Sequence, residues 1–280
     1  MESDWRKNSE FRIQNAEAAA ILNSDSRILS SAMRLSNRCF AVTGLGYLPP
    51  WTVNAGFVTG EESTLIIDTG ANAAAAATIY GYASIARPSN RLMVLDSERH
   101  FDHIGGNEYF RERGVDVYGH AGIQRTDEEF RAEISDFNGE ISNPARRSRH
   151  ESEIFYHGTR LANPNCPIGE DSRMNLGACE IDILLTPGHT PGNLSVYVPS
   201  DGVLFSGDCL VNGYLPNLDA GSVADWYIWL KSLERVAALA PRIVVPGHGP
   251  LATGDEVPRL IESVRDVLQQ SIEAGRSPTS

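Results

Sequence analysis

RLMVLDSERHFDH, residues 91–103, is the stretch that decides the fold of this chain. It opens with a short apolar run at 91–96, which predicts a buried strand. Directly after the run come Glu98, His100, Asp102 and His103, four side chains that can bind a metal ion. Imidazole and carboxylate are the ligands that hydrolytic zinc, iron and manganese sites use. The stretch therefore predicts a strand that ends in a metal site.

Three more apolar runs end in metal-capable side chains. They are residues 181–185 before His189, residues 203–206 before Asp208, and residues 242–245 before His248. Proteins built on sheets commonly place their chemistry at strand ends, so we expect these side chains to converge. The seven ligands suit two metal ions that share a bridging carboxylate and leave positions open for water.

From about residue 40 the chain alternates short apolar runs with helical stretches. The runs predict strands at 52–59, 63–68, 91–96, 115–118, 181–185, 194–198, 203–206 and 242–245. Helices are predicted at 71–86, 106–113 and 224–240, and over an apolar stripe at 260–268. The helix at 224–240 follows a capping-box pattern at Ser222 and Asp225. We expect both C-terminal stripes to face the core.

The domain organisation follows from where these patterns start and stop. Residues 1–38 are polar and predict an N-terminal extension with one or two short helices, and residues 39–280 predict one domain. A polar insertion at about 121–172 shows no convincing strand. Its charged runs are typical of a solvated face, but an insertion of this length also suits a cap over a binding cleft.

The composition of the chain limits the classes of molecule that it is expected to bind. The net charge is −12 and the chain has only two lysines, Lys7 and Lys231, so we expect neither nucleic acid nor a membrane as a partner. A small-molecule substrate, uncharged or weakly anionic, fits better, and the oligomeric state, a homo-oligomer included, stays open. The N-terminal residues carry no apolar run long enough for a signal peptide, and the four cysteines form no CxxC pair. These features predict a cytoplasmic protein with reduced thiols.

Taken in order, the four motifs resemble those of the metallo-β-lactamase superfamily. The motifs are Glu98-x-His100-x-Asp102-His103-x-Gly105-Gly106, Pro187-Gly188-His189-Thr190, Gly207-Asp208 and Pro246-Gly247-His248-Gly249. The resemblance covers roughly residues 40–267 and implies an α/β (α+β) fold, a four-layer αββα sandwich with the metals at one edge between the sheets. It also implies two ligand sets: Glu98, His100 and His189 for the first metal, Asp102, His103 and His248 for the second, and Asp208 bridging them.

The same resemblance implies a metal-dependent hydrolase with two divalent ions. Its reaction would be cleavage of an ester, lactone, thioester or amide bond, β-lactams included, by a hydroxide that bridges the metals. Asp102 would be the catalytic residue that orients the water or carries its proton. The family pattern usually begins with histidine where this chain has Glu98. A carboxylate there adds negative charge and hardness, so we expect zinc first, with manganese or iron favoured more than usual.

Further residues are predicted to support the ligands or the substrate. Asp68 resembles the family's aspartate that supports the ligand loop, and Ser97 and Asn54 are candidates for similar contacts. Three aromatic residues suit an apolar wall over the metals: Tyr47, Trp51 and Tyr214. Ordinary packing of aromatic side chains in loops explains these three equally well.

Two other functions stay open. An iron-dependent oxidoreductase of the sulfur dioxygenase type resembles the same motifs, and Glu98 suits iron. This alternative predicts oxygen uptake with a thiol or persulfide. A non-catalytic metal-binding module would result if Glu98 disables the first metal site, and it predicts one metal at most and no turnover of activated esters. Metal analysis separates the three functions.

Overall fold

The computed structural model describes residues 32–48, 51–140, 149–219 and 221–278, and for 46–48, 51, 137–140 and 149–150 it describes the backbone alone. Residues 1–31 of the predicted extension lie outside the described residues. At the end of that extension, Met33–Arg34 is a strand that pairs with Cys39–Leu48. The expectation of a helix is therefore wrong for these two residues, because the sheet supplies their backbone partners.

The first half of the sheet has seven strands among the described residues. In chain order they are β1 (Met33–Arg34), β2 (Cys39–Leu48), β3 (Trp51–Thr59), β4 (Ser63–Ile67), β5 (Arg91–Leu95), β6 (Asp116–His120) and β7 (Cys166–Ile168). Strands β1 to β4 pair as antiparallel neighbours, and β4 to β7 run parallel. The parallel pairing brings the C-terminal ends of β4 and β5 to one edge, where Asp68 and the donor segment 98–103 follow.

The second half contains the remaining strands of the described ranges. They are β8 (Ser172–Asn175), β9 (Glu180–Leu185), β10 (Leu194–Val198), β11 (Val203–Val211), β12 (Ile243–His248) and β13 (Ala252–Thr253). Their order is β12-β11-β10-β9-β8, with β13 beside β12. Strand β12 meets β3 of the first half at one pairing, between His248 and Val53. The two halves are thus joined at a predicted metal ligand.

Seven helices accompany the strands in the part of the chain that the structure describes. They are α1 (Ala73–Ala86), α2 (Phe101–Ile104), α3 (Asn107–Arg111), α4 (Asp127–Glu140), α5 (Arg149–Phe155), α6 (Val223–Ala238) and α7 (Glu256–Ala274). Helix α6 begins with the predicted capping box, in which the Ser222 N–H donates to Asp225 Oδ2 at 2.8 Å. None of the described helices is long and apolar enough to cross a membrane.

Side chains from both halves of the sheet fill the space between them. Leu65 and Leu95 of the first half share a buried cluster with Val196 and Phe205 of the second. Helices α6 and α7 bury the two predicted apolar stripes on the outer face of the second half. Helix α1 packs on β3 and β4 of the first half. These layers confirm the αββα sandwich.

Each predicted strand is present, and three run further than expected: β6 ends at His120, two residues after its predicted end. Strand β11 continues to Val211 and β12 to His248, so Asp208 and His248 lie on strands and not after them. The Gly-Asp and Pro-Gly-His patterns resemble stop signals. Pairing between β11 and β12 nevertheless carries both strands onward, with irregular register on either side of Gly207.

The sequence pattern does not predict five of the described strands, which are β1, β2, β7, β8 and β13. Strand β2 contains two glycines, and its pairing with β3 shifts register between Val42 and Leu45, which breaks the alternation that marks a strand. Strand β7 contradicts the expectation that the insertion has no strand. It pairs with β6 at the end of the sheet order, and its central Pro167 is tolerated because an edge strand needs hydrogen bonds on one side only.

Replacing Trp229 by alanine should lower the free energy of unfolding by about 3–5 kcal/mol. The side chain of Trp229 is 1% exposed, and its Nε1–H donates to the Cys209 carbonyl at 2.9 Å. Tyr227 on the same helix is 55% exposed, so Tyr227→Ala should change stability by less than about 0.5 kcal/mol. Urea unfolding followed by circular dichroism measures both, and equal losses would contradict the assignment of α6's buried face.

Candidate metal centre

The segment between β5 and α2 carries four of the donor side chains. Strand β5 ends at Leu95, and α2 begins at Phe101 with His100 in its N-cap position. Glu98 and His100 therefore precede the helix, while Asp102 and His103 lie within its single turn. Every residue of α2 is buried. Its polar side chains must consequently find partners inside the protein.

Two glycines give the backbone the space that it needs next to the donors His189 and His248. Gly188 precedes His189 with a φ of +147°, and a Cβ on it would lie 2.2 Å from the Cβ of Trp229. Gly247 precedes His248, and a Cβ there would lie 1.8 Å from Asp208 Oδ1. A larger residue would displace Trp229 at the first position and Asp208 at the second. The Pro-Gly-His pattern therefore has a steric cause in both motifs.

All seven predicted donors converge. Their ligand atoms form three groups within which all atoms lie within 4.8 Å of one another: Glu98, His100 and His189; Asp102, His103 and His248; and Glu98, His103 and Asp208. The first two groups are the ligand sets that the resemblance implied, and we call them the first and second triad. The third group takes one member from each triad and adds Asp208.

Asp208 lies between the triads. Its Oδ2 is 3.4 Å from His189 Nε2 and 3.2 Å from His248 Nε2. Its Oδ1 is 3.3 Å from His103 Nε2. One carboxylate thus faces imidazoles of both triads, which is the arrangement that a bridging ligand needs.

The carboxylate of Glu98 lies near imidazoles of both triads. Its Oε1 lies 2.7 Å from His100 Nδ1 and 3.9 Å from His189 Nε2, both in the first triad. The same atom lies 3.5 Å from His103 Nε2 in the second triad. The resemblance assigned Glu98 to the first triad alone, whereas the structure brings its carboxylate close to both.

The charges of the centre compensate one another. Burial opposes the charged form of every group here, but attraction between carboxylates and imidazoles outweighs it in most of them. The pKa of Glu98 falls to about 2 beside His100 and His103. The pKa of His100 rises to about 9 beside Glu98, and that of His248 rises to about 9 beside Asp208. His189 differs, because burial holds its pKa below the ordinary value.

Two buried atoms at the centre have no hydrogen-bond partner among the described residues. They are His103 Nε2 and Asp208 Oδ1, which face each other at 3.3 Å. Buried polar atoms nearly always have a partner, so a missing one calls for an explanation. Both atoms belong to the donor set, whose imidazoles and carboxylates are the ligands that divalent metals take. The residues present therefore fit a pair of divalent metal ions.

Oxygen atoms orient the imidazoles from outside the donor cluster. For three histidines the outer nitrogen is Nδ1, and it faces an acceptor: Asp68 Oδ2 at 2.9 Å for His103, the Thr52 carbonyl at 2.8 Å for His248, and the Asn217 carbonyl at 3.2 Å for His189. An acceptor at Nδ1 holds the proton there and leaves the Nε2 lone pair facing the cluster. The sequence carries no signal for the two carbonyl contacts, because any residue has a carbonyl.

The three predicted supporting residues lie beside the donors. Asp68 accepts hydrogen bonds from the Ser97 N–H at 2.7 Å and from the Ser97 hydroxyl at 2.8 Å. Asn54 donates to the carbonyls of Pro246 and Gly249 at 2.9 and 2.8 Å. Asp68 and Ser97 thus hold the segment that leads to Glu98, and Asn54 holds the turn around His248.

A cleft of about 730 Å³ lies over the donors. Part of its lining is apolar and includes Val211, Tyr214 and Leu215. Tyr214, one of the three aromatic residues predicted to contact substrate, therefore lies at the cleft. The side chains of the other two, Tyr47 and Trp51, lie outside the described residues.

Helix α4 of the insertion forms another part of the cleft lining. It presents Glu129, Ala132, Glu133 and Asp136 to the cleft. These positions are spaced i, i+3, i+4 and i+7, which places them on one helical face. The sequence gives no signal that these side chains line a cleft, because carboxylates at this spacing are equally typical of a solvated face.

The fold and the donors together define a class of protein, an αββα sandwich with a centre suited to two divalent metals. The family model described as the Metallo-beta-lactamase superfamily matches residues 99–248, more than half of the chain. The chain belongs to this superfamily. The match begins one residue after Glu98, so the glutamate at that position lies outside it.

Relatives and solved structures cover most of the chain. The probable metallo-hydrolase YqgX of Bacillus subtilis is 28% identical over 72% of this chain and 87% of its own length. The acyl-coenzyme A thioesterase MBLAC2 of Gallus gallus is 27% identical over 74% of this chain and 76% of its own length. The structure of the metallo-beta-lactamase family protein TTHA1429 from Thermus thermophilus matches with a TM-score of 0.64 at 21% identity, covering 86% of this chain and 82% of that chain.

Asp68→Asn should weaken the binding of divalent metal about 10- to 100-fold, because it removes the charge that faces His103 Nδ1 while keeping the size of the side chain. Competition with a chromophoric chelator measures the affinity. Asp116→Asn is the control, since Asp116 pairs with Arg91 at the opposite end of β5 from the donors. Equal metal affinities of the two variants would show that the contact between Asp68 and His103 has no part in metal binding.

Proposed function

We propose that this chain is a binuclear metal-dependent hydrolase that cleaves an ester, lactone, thioester or amide bond, β-lactams included. The observation that carries the proposal is the convergence of four imidazoles and three carboxylates into two triads with Asp208 between them. A purely structural cluster would satisfy its own hydrogen bonds, whereas His103 Nε2 and Asp208 Oδ1 have no such partner among the described residues. Relatives named as a metallo-hydrolase and a thioesterase support hydrolysis.

Two divalent ions would be held by the two triads, with Asp208 contributing to both. The four imidazoles favour zinc, and the three carboxylates leave manganese and iron as alternatives. When bound, such ions supply Lewis-acid polarisation of a carbonyl and lower the pKa of water. The protein's own part is to hold these donors in a fixed arrangement through the outer contacts at each imidazole.

Asp102 is the residue to which we assign the proton transfer. It lines the cleft, and its Oδ2 lies 3.3 Å from His248 Nε2 and 3.8 Å from His103 Nε2. A carboxylate in this position accepts a hydrogen bond from the attacking water and so orients it. The carboxylate takes the proton as the water's oxygen bonds to the substrate carbonyl, and then passes it to the leaving group.

The cleft lining favours a small, uncharged acyl substrate. Tyr214 and Leu215 offer apolar contact. In the outer lining of the same cleft three carboxylates outnumber two guanidinium groups: Glu129, Glu133 and Asp136 against Arg99 and Arg125. The net charge of −12 adds to that field. Phosphate-bearing substrates such as acyl-coenzyme A are therefore disfavoured, although the thioester bond itself is of the proposed kind.

Protein purified without added metal should contain two divalent ions per chain by mass spectrometric elemental analysis, and chelation should abolish ester hydrolysis. Glu98→Ala should lower the metal content, because the first triad then retains only His100 and His189. His157→Ala removes an exposed histidine and should keep the content of the parent chain. A parent chain free of metal would exclude the hydrolase, and one iron per chain with thiol-dependent oxygen uptake would favour the sulfur dioxygenase.

Charge discrimination in the cleft can be tested with two thioesters of the same acyl group. We expect kcat/KM for the uncharged N-acetylcysteamine thioester to exceed that for the coenzyme A thioester by about tenfold, since the cleft repels phosphates. Glu129→Gln combined with Asp136→Asn removes two negative charges from the cleft and should bring the two kcat/KM values closer together. Asp127→Asn combined with Glu128→Gln makes the same charge change on α4 outside the cleft lining. Equal narrowing by both pairs would show that overall charge, and not the cleft, discriminates.

A further inference from the structure

The four imidazoles of the centre are not supported alike. Three have Nε2 towards the donors and an oxygen acceptor at Nδ1 supplied by the sandwich itself. His100 is turned the other way, with Nδ1 2.7 Å from Glu98 Oε1 and 3.1 Å from His189 Nε2. Its outer nitrogen is Nε2, and Glu133 Oε1 lies 3.9 Å from it. Glu133 belongs to α4, so the insertion provides the carboxylate that faces this histidine.

Glu133 is itself held in place. Its other carboxylate oxygen contacts Nη1 of Arg125, a residue with only 8% of its surface exposed. Arg125 also donates to the backbone carbonyls of Arg99 and Glu129, each at 3.1 Å. One buried guanidinium therefore ties α4 to the donor segment between β5 and α2.

The first triad contains the most exposed imidazole of the centre. His100 has 23% of its side chain exposed, against 11% or less for the other three imidazoles. Glu98, the carboxylate of this triad, is shared with His103 of the second triad. An imidazole that packing does not hold relies on polar contacts for its orientation.

We propose that Glu133 is a positioning residue for His100, through which the insertion sets the metal affinity of the first triad. This inference rests on the proposed function. A carboxylate facing Nε2 keeps the proton on that nitrogen, so the Nδ1 lone pair faces the donors. At 3.9 Å the interaction is Coulombic and not a hydrogen bond, and it strengthens as the ring gains positive charge.

Stepwise metal binding to the full chain separates the two triads. Titration with cobalt(II), followed by visible absorption and by competition with a chromophoric chelator, yields two dissociation constants. We expect Glu133→Ala to raise one constant about tenfold or more and to leave the other within about twofold. Glu133→Gln, which keeps an oxygen acceptor without the charge, should lie between. Glu128→Ala, exposed on the same helix, is the matched control and should leave both constants unchanged.

Asp68→Asn supplies the reciprocal test. It acts on His103 in the second triad, so it should weaken the step that Glu133→Ala leaves unchanged, and the double variant should weaken both steps. The inference is overturned if Glu133→Ala and Glu128→Ala bind cobalt alike. It is also overturned if Glu133→Ala weakens both steps together with a lower melting temperature that Glu133→Gln does not restore, because that pattern reports loss of helix α4. A parent chain that binds no metal overturns the proposed function, and the inference with it.

Discussion

Seven ionisable side chains meet where the two halves of the sheet are joined, and six of them are buried. An isolated charge in such a place costs several kcal/mol, so the groups must neutralise one another or bind something that does. The depressed pKa of Glu98 and the raised pKa values of His100 and His248 show that attraction between the carboxylates and the imidazoles stabilises their charged forms. His103 Nε2 and Asp208 Oδ1 nevertheless have no hydrogen-bond partner among the described residues. A pair of cations between the triads would satisfy both atoms.

The rest of the sandwich brings these charges to one place and holds them there. Strand β12 meets β3 at His248, and the Thr52 carbonyl of β3 then orients that histidine. Helix α6 packs Trp229 against Gly188, so the hydrophobic layer on the outer face directly positions the loop of His189. The stability of the core and the geometry of the metal centre are therefore coupled through the same contacts.

The insertion plays two parts that follow from one helix. The cleft-facing side of α4 brings carboxylates to the cleft lining, and the contact between Glu133 and Arg125 ties this helix to the donor segment. A movement of α4 would therefore alter the cleft lining and the surroundings of His100 together.

The amino-acid sequence by itself determined the identity of the donors, the apolar runs of most strands and the start of helix α6. Each of these depends on residue chemistry and spacing within a few positions of the chain, as in the segment from Glu98 to His103. Only the tertiary structure decided that Glu98 reaches both triads, that β11 and β12 extend through Asp208 and His248, and that α4 reaches His100. Only the tertiary structure likewise brought the carbonyls of Thr52 and Asn217 to Nδ1 of His248 and His189. Such contacts join segments far apart in the chain, and they depend on packing and on backbone atoms that every residue shares, so no local pattern of side chains encodes them.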